Sequence, residues 1–525
     1  MSIMEDKHNL GATSAQAQGV VGSNTLIDRF SALPNEVVLH IMSSTEVKDL
    51  IRLRCVSKKC KKLSLSVPSL NIDGSSSIYK KSKSKRLNLL NHLDRFLMQR
   101  KDCKIGRLRI AWSFNGANTS EEQFRIATWI ITAVSCNIEY LELVFSIDNG
   151  STFELPYDLL DCSTLKTLKV DLSSKTLRLP ALAVPSNLQR LHLKEVIISE
   201  EVWKWISSLH LTELRLEHVN GIGSVTVEIP SLIKFHLEFV YYQNRISKLL
   251  ISGAKLEDID VRGPFNERGL DSLKIVASNL RRLKLLGYLM NQLSLGRFTF
   301  LEKAELFLSP TADDNGKLFE VFSSVSRTKV LHLDEKTIEV LRDGPVQLPL
   351  HDISCFRAYL VRLTDDIVPN IAHLLRGMPN LNTLFIATSP SLLYELFPYY
   401  NWFYRGRLVP YDEVKENAPG SGCNKSYWSS QNLACIDQLK EVRLELSNGT
   451  NELDLACYIL ENAKNLKKMV IIHTYHQSPA VRMINACNLS SCDARVLFYR
   501  RKKPTLMDLV GYQHGHNIGP RVLAQ

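Results

Sequence analysis

The sequence predicts an α/β solenoid preceded by a small helical module. Three observations carry that expectation: a recurring L-x-x-L-x-L pattern, its near-constant spacing, and a separate helical periodicity upstream of it. The pattern is anchored at Ile138, Leu165, Leu188, Leu211, Leu232, Leu256, Leu280, Leu301, Thr328, Ile353, Leu381, Leu439 and Leu466. Successive intervals are 27, 23, 23, 21, 24, 24, 21, 27, 25, 28, 58 and 27 residues. One unit of this size cannot bury its own apolar side. Units therefore stack, and the stack presents an extended binding surface.

Taken in order, residues 1–24 are polar, carry no periodic pattern and are expected to be a disordered tail. The helical module is expected over 26–70. Leu33-Pro34-Asn35-Glu36 opens its first helix, with proline in the first turn, where a missing N–H costs nothing. Glu36 sits at the positive end of that helix dipole. Val37, Val38, Ile41 and Met42 recur at helical spacing, and Val47, Leu50, Ile51, Leu53, Cys55 and Val56 define a second helix. A third, basic segment runs through Ser57–Leu65 to Val67-Pro68.

Residues 71–105 read as a basic linker and a helix on Leu87, Leu90, Leu93, Phe96 and Leu97. The run Lys80–Arg86 is read as a solvated linker, with a nuclear-import signal as its other reading. From Leu108 the alternation Leu108, Ile110, Trp112 reads as a first strand, and 121–134 as a helix. The spacing over 106–390 is that of leucine-rich repeats, and its unevenness predicts an irregular horseshoe. In Leu188-Gln-Arg-Leu191-His-Leu193 the leucines point inward and Arg190 and His192 outward, to the concave face. Ser199-Glu200-Glu201 opens a helical return. An aromatic insert, 391–435, runs from Tyr394 to Trp428 and is expected to pack on the last repeats. Terminal repeats follow at 436–499, then a flexible tail at 500–525.

The net charge is +11, which raises the question of a nucleic-acid partner. The excess is concentrated at Lys58–Lys62 and Lys80–Arg86, a local block rather than a stripe along a face, so none is expected. No apolar run reaches 18 residues, and no membrane segment or signal peptide is expected. The 11 cysteines are read as reduced and intracellular. P-loop, G-x-S-x-G and H-E-x-x-H motifs are absent, so no catalytic residue is assigned. His473-x-x-His476 with Cys487-x4-Cys492 lacks the close cysteine spacing of a zinc site, and neither metal nor cofactor is expected. The outward strand positions make Arg190, His192, Arg215, Lys234, His236, Arg282 and Lys284 the candidate target-binding residues, on a row that reads as basic or mixed with one acidic step at Asp258/Asp260, whose basic positions suit an acidic or phosphorylated peptide.

The segment Asp28-Arg29-Phe30-Ser31-Ala32-Leu33-Pro34-Asn35-Glu36-Val37-Val38-Leu39-His40-Ile41, continued by Val47–Arg52 and Val56–Lys59, resembles an F-box. Leu439–Leu444, Asn451-Glu452-Leu453 and Tyr458–Leu466 resemble the FBD domain that ends many plant F-box proteins. With the repeats and the Trp-containing insert between them, the whole chain resembles the plant F-box/leucine-rich-repeat/FBD family, so the FBD-type repeats would cap the horseshoe. The resemblance implies a non-catalytic receptor acting through proximity. Its F-box would dock on a Skp-type adaptor and so on a cullin–RING ubiquitin ligase, in the nucleus and/or the cytoplasm, while the repeats bind a target protein. It assigns docking to Leu33, Pro34, Glu36, Val37, Ile41, Leu50, Ile51 and Val56. Ser44-Thr45-Glu46 stands where the family has Phe-Leu-Pro, and Cys60 and Ser64 stand where it has tryptophans. Those departures define the alternative: a repeat scaffold with a degenerate, weak or non-docking F-box.

Overall fold

The computed structural model describes residues 30, 33–100, 103–114, 119–146, 152–180, 187–239, 246–263, 270–309, 314–341, 350–388, 425–447, 450–473 and 477–500. The expected 1–24 tail, most of the aromatic insert, His476 and the tail beyond 500 lie outside these residues.

Three helices form the opening module: α1 (Asn35–Ser43), α2 (Val47–Leu53) and α3 (Lys58–Ser66). Pro34 sits just before α1 with φ −55° and ψ 147°, one step outside the turn predicted for it. Val38 and Met42, one turn apart, bury inward, as do Val47 and Leu50 from α2. The Ser57 hydroxyl caps α3 by accepting from the Cys60 N–H at 3.0 Å. After a short helix, α4 (Ser77–Lys81), comes the long α5 (Lys83–Met98), followed later by α6 (Thr119–Ser135). Helix α2 packs on both α3 and α5.

The strands in chain order are β1 (Ser69–Gly74), β2 (Arg107–Ser113), β3 (Tyr140–Ser146), β4 (Thr152–Glu154), β5 (Thr167–Arg178), β6 (Arg190–Ile197) and β7 (Glu213–Glu217). Then come β8 (Ser224–Val227), β9 (Lys234–Glu238), β10 (Lys248–Ser252), β11 (Asp258–Arg262), β12 (Ser272–Val276), β13 (Arg282–Tyr288) and β14 (Gln292–Leu295). The last are β15 (Lys303–Ser309), β16 (Val330–Asp334), β17 (Cys355–Tyr359), β18 (Thr383–Ala387), β19 (Glu441–Glu445), β20 (Lys468–His473) and β21 (Arg495–Arg500).

All but β8, β10, β12 and β14 belong to one parallel sheet that follows chain order, with β4 alongside the far half of β5. Each predicted anchor lies two residues before a strand and is buried. The corner before the strands is itself hydrogen-bonded from unit to unit. Lys166 N–H donates to Glu139 O (2.9 Å), Gln189 to Lys166 (3.0 Å) and Thr212 to Gln189 (2.8 Å).

The sheet begins one strand earlier than expected. β1 pairs with β2 from Ser69↔Arg107 to Gly74↔Trp112, inside the stretch read as module end and linker. The return limbs also divide in two. Between Leu211 and Leu301, where units are 21–24 residues long, β8, β10, β12 and β14 form a second parallel sheet. Extended chain covers more distance per residue than helix, so a short unit closes more readily through a strand. Other units return through helices: α7 (Tyr157–Leu160), α8 (Glu200–Ser208), α9 (Asn315–Ser324), α10 (Glu335–Val340) and α11 (Val368–Arg376). Ser199 caps α8, as its sequence suggests.

The basic run ends inside the protein. Arg86 is buried and forms a two-pronged ion pair with Glu122 of α6, while Trp112 Nε1 donates to the same carboxylate at 3.0 Å. Within the insert, α12 (Lys425–Ser430) places Trp428 in the core, stacked on Tyr458 of α13 (Asn451–Asn462), with ring centroids 6.5 Å apart. Cys457 of α13 and Cys487, just after α14 (Ser478–Asn485), are disulfide-linked, against the expectation of reduced thiols throughout. That bond also removes Cys487 from the metal set considered above. No cluster of three or more metal-ligating side chains occurs among the described residues, and no helix there is long and apolar enough to cross a membrane.

Candidate functional site

Two surfaces stand out, one on the helical module and one on the sheet. On α1, turning Val38 and Met42 inward leaves Val37 and Ile41 outward, one turn apart and 43% and 42% exposed. Pro34 and Glu36 are exposed beside them, Val56 is exposed beyond α2, and Leu33 and Ile51 are half-buried. The Lys59 ammonium donates to Leu33 O at 2.9 Å, tying the entry segment to α3. Leu50 is the exception among the residues expected to dock. It is fully buried on the face that α2 turns toward α3 and α5, so it is a core residue and not a contact.

Cys60 and Ser64 are interior as well. Against the C-terminal turn of α3 lies Arg100, itself wholly buried, donating to Ser64 O (3.1 Å) and to Val67 O and lying over the Phe96 ring. Burial without a carboxylate partner pushes the Arg100 guanidinium down to about 10. These bonds fix the helical module to α5 and hence to the sheet.

The open face of the sheet carries the outward row. The cations read from sequence as a basic track are mostly neutralised there. Arg190 Nε donates to Thr167 Oγ1 at 2.9 Å. His192 lies 3.4 Å from Glu217, which also pairs with Arg215. His236 meets Asp260 at 3.1 Å and Glu238 at 3.5 Å. Arg282 pairs with Asp258 at 2.8 Å and Lys284 with Glu305 at 3.3 Å. Lys234 is exposed and has no ion pair among the described residues. The row expected as basic or mixed is therefore an alternating lattice of both signs.

Protonation follows from these pairs. Burial alone would raise the Glu217 and Asp260 carboxyls, but His192 with Arg215, and His236 with Arg262, hold them well below the usual carboxylate range. Burial works against charge on His236, yet its bonds to Asp260 and Glu238 leave its pKa raised.

The same outward row changes character after Glu305, a region that the sequence reading did not follow. Phe307, His332, Tyr359 and Phe385 form a chain of edge-to-face rings, with centroids 5.7 Å apart for Phe307–Tyr359, 5.9 Å for His332–Tyr359 and 6.2 Å for Tyr359–Phe385. Arg357 and Arg443 lie over Phe385 at 5.5 and 4.9 Å. Period-2 alternation through β15 to β19 marks these side chains as outward or adjacent, so the signal was present.

A small helical module with an exposed apolar pair, fixed to a long parallel-strand solenoid, is thus the architecture that carries both surfaces. Comparison with known families refines that reading. The F-box domain model matches residues 30–71 and the FBD model 438–471. A repeat model described as "FBD-associated F-box protein At5g56370, LRR repeats" matches residues 126–312. In domain content and order the chain is similar to the plant F-box/leucine-rich-repeat/FBD proteins. Similar proteins from Arabidopsis thaliana include FBD-associated F-box protein At4g10400, 28% identical over 40% of this chain and 51% of its own length. FBD-associated F-box protein At1g66310 is 24% identical over 86% of this chain and 90% of its own length. F-box/FBD/LRR-repeat protein At5g22660 is 24% identical over 90% and 97%. The match to the first of these spans about half of that relative's length.

Proposed function

We propose that this chain is the substrate-recognition subunit of an SCF-type cullin–RING ubiquitin ligase. Its F-box docks on a Skp-type adaptor, its repeats hold a target protein, and the chain itself forms no bond to ubiquitin. The observation that carries this is the Val37–Ile41 pair. Two large apolar side chains stand exposed one turn apart in an otherwise packed module, within the segment that matches the F-box. Pro34, Glu36, Leu33, Ile51 and Val56 are the other residues assigned to the proposed docking face. An exposed apolar patch rimmed by polar groups is the expected form of such a surface. The open face of the repeats, with Arg190, His192, Arg215, Lys234, His236, Arg282 and Lys284 on it, is the proposed target side.

The rival reading, a scaffold without adaptor docking, rests on Ser44–Glu46. Ser44 is exposed, and Glu46 pairs with Lys48 at 2.5 Å, so this corner offers polar groups where the family has apolar ones. Co-purification with a Skp-type adaptor separates the two. Wild type is expected to retain the adaptor, and Val37→Asp/Ile41→Asp to lose it while still unfolding in a cooperative thermal transition, since neither side chain is part of the buried core. A folded wild-type chain that retains no adaptor would establish the scaffold reading.

A further inference from the structure

From β6 to β15 the cations of the open face other than Arg190 and Lys234 stand beside carboxylates, among them Glu217, Glu238, Asp260 and Glu305. Further along, that pairing stops. Register sets Arg357 beside Phe385 and Phe385 beside Arg443 on three successive strands. Both arginines are exposed and Phe385 is half-buried. The carboxylates nearby are already engaged. Glu305 is held by Lys284 and Lys303, and Glu441 by Lys468 at 2.9 Å. Glu445 is buried and accepts from the Thr388 N–H at 3.2 Å, while Asp334 is buried and caps α10 through Thr337. Among the described residues, no carboxylate forms an ion pair with Arg357 or Arg443. Burial and the charge of Arg357 push the Arg443 guanidinium below its ordinary value against the pull of Glu441, while, against burial, bonds to Tyr359 and Cys355 help hold the Arg357 guanidinium above its own. Two like charges over one ring repel, and an anion placed between them relieves the repulsion.

We propose that Arg357, Phe385 and Arg443 form an anchoring subsite for an acidic side chain of a protein target. The two guanidiniums take its carboxylate, and Phe385 takes the apolar residue next to it. This rests on the reading that the repeats hold a protein target. Guanidinium forks match carboxylate geometry and stack on rings, so the pair is suited to both tasks at once. Tyr359, buried and edge-on to Phe385 and Phe307, gives the subsite a stiff floor. The rest of the face argues for a peptide over a nucleic-acid strand. A polyanion needs successive uncompensated cations along its path, whereas the neighbouring units present a carboxylate beside nearly every cation. One or two acidic side chains in an apolar setting fit here, and a run of phosphates does not.

The test uses the full chain and a fluorescein-labelled twelve-residue glutamate peptide with a central phenylalanine, read by fluorescence anisotropy. Wild type is expected to bind. Arg357→Ala/Arg443→Ala is expected to weaken binding by about tenfold or more, the effect of losing one good charge-assisted contact. Arg297→Ala/Arg376→Ala, exposed on return limbs and outside the outward row, is expected to bind as wild type does. Phe385→Leu is expected to abolish the preference for the phenylalanine peptide over one with serine in its place. Absence of wild-type binding, or equal loss in both arginine pairs, overturns the proposal. So does a thymidine twelve-mer that binds more tightly and is lost in Arg357→Ala/Arg443→Ala. Adaptor co-purification is run on the same variants. Peptide binding that fails while adaptor capture holds removes only this inference; the reverse removes only the ligase reading.

Discussion

Glu122→Leu tests how the F-box is held on the solenoid. Glu122 and Arg86 are 2% and 4% exposed, and Trp112 Nε1 shares the carboxylate. Removing Glu122 leaves a buried guanidinium whose remaining acceptor is Ser113 O, and an indole N–H with none. Breaking one side of a buried pair costs about 3–5 kcal/mol, and the orphaned N–H adds about 1 kcal/mol. Arg86→Met/Glu122→Leu removes both charges and keeps the volume, so its expected cost is only about 1–2 kcal/mol. Hydrogen exchange read by mass spectrometry over α5 and α6, together with thermal unfolding, measures both variants. The single variant is expected to lose protection in α5, the helix on which α2 and hence the F-box rests. A double variant as unstable as the single one would refute the reasoning, because the loss would then come from packing and not from an uncompensated charge.

Three further outcomes are expected. Trp428→Ala empties a fully buried site against Tyr458 and is expected to cost about 3–5 kcal/mol, visible as faster exchange in α13. Gly74→Ala sets a Cβ 2.2 Å from the Trp112 ring, which Glu122 pins in place, so a loss of about 1–3 kcal/mol by thermal or denaturant unfolding is expected, and an unchanged stability would contradict the β1–β2 register. Burial, with Lys303 next in importance, lowers His332 to about 3 although Glu305 lies 3.6 Å away. The unfolded chain then binds the extra proton below pH 6.5, so stability falls as pH drops from there toward 3, by about 2 kcal/mol at pH 5. His332→Leu is expected to flatten that part of the pH–stability curve.

The leucine anchors were legible because each marks a buried position two residues before a strand, whatever the return limb does. Val67-x-x-Leu70-x-Ile72 and Ile105-x-x-Leu108-x-Ile110 are the same pattern, with both anchors buried, and the first strand was masked because Val67-Pro68 also reads as the end of the helical module. Arg86 was misread for a different reason. Its neighbours Lys81, Lys83 and Lys85 are exposed, and nothing local distinguishes it from them. Its partner is 36 residues away and becomes visible only once α6 is laid on α5. Leu50 failed as a docking residue because apolar residues of a small helical module serve the core and the docking face alike, and spacing alone does not say which.

The open face shows where such reading stops. Period 2 tells which side chains point outward, and Arg215, His236 and Lys284 do belong to that row. It does not tell which carboxylates reach them. Glu217 and Glu238 sit two residues further along their strands, and the register of β6, β7, β9 and β11 brings them against His192, Arg215, His236 and Arg262. The outward positions alone therefore read as basic or mixed, whereas the paired structure leaves little net charge in most of the row. The same reasoning gives the meaning of the next strands. Where register stops supplying a carboxylate, at Arg357 and Arg443, the charge has to be answered by solvent or by a partner. An aromatic floor beneath two such arginines makes a partner the better answer, because it removes apolar surface from water at the same contact.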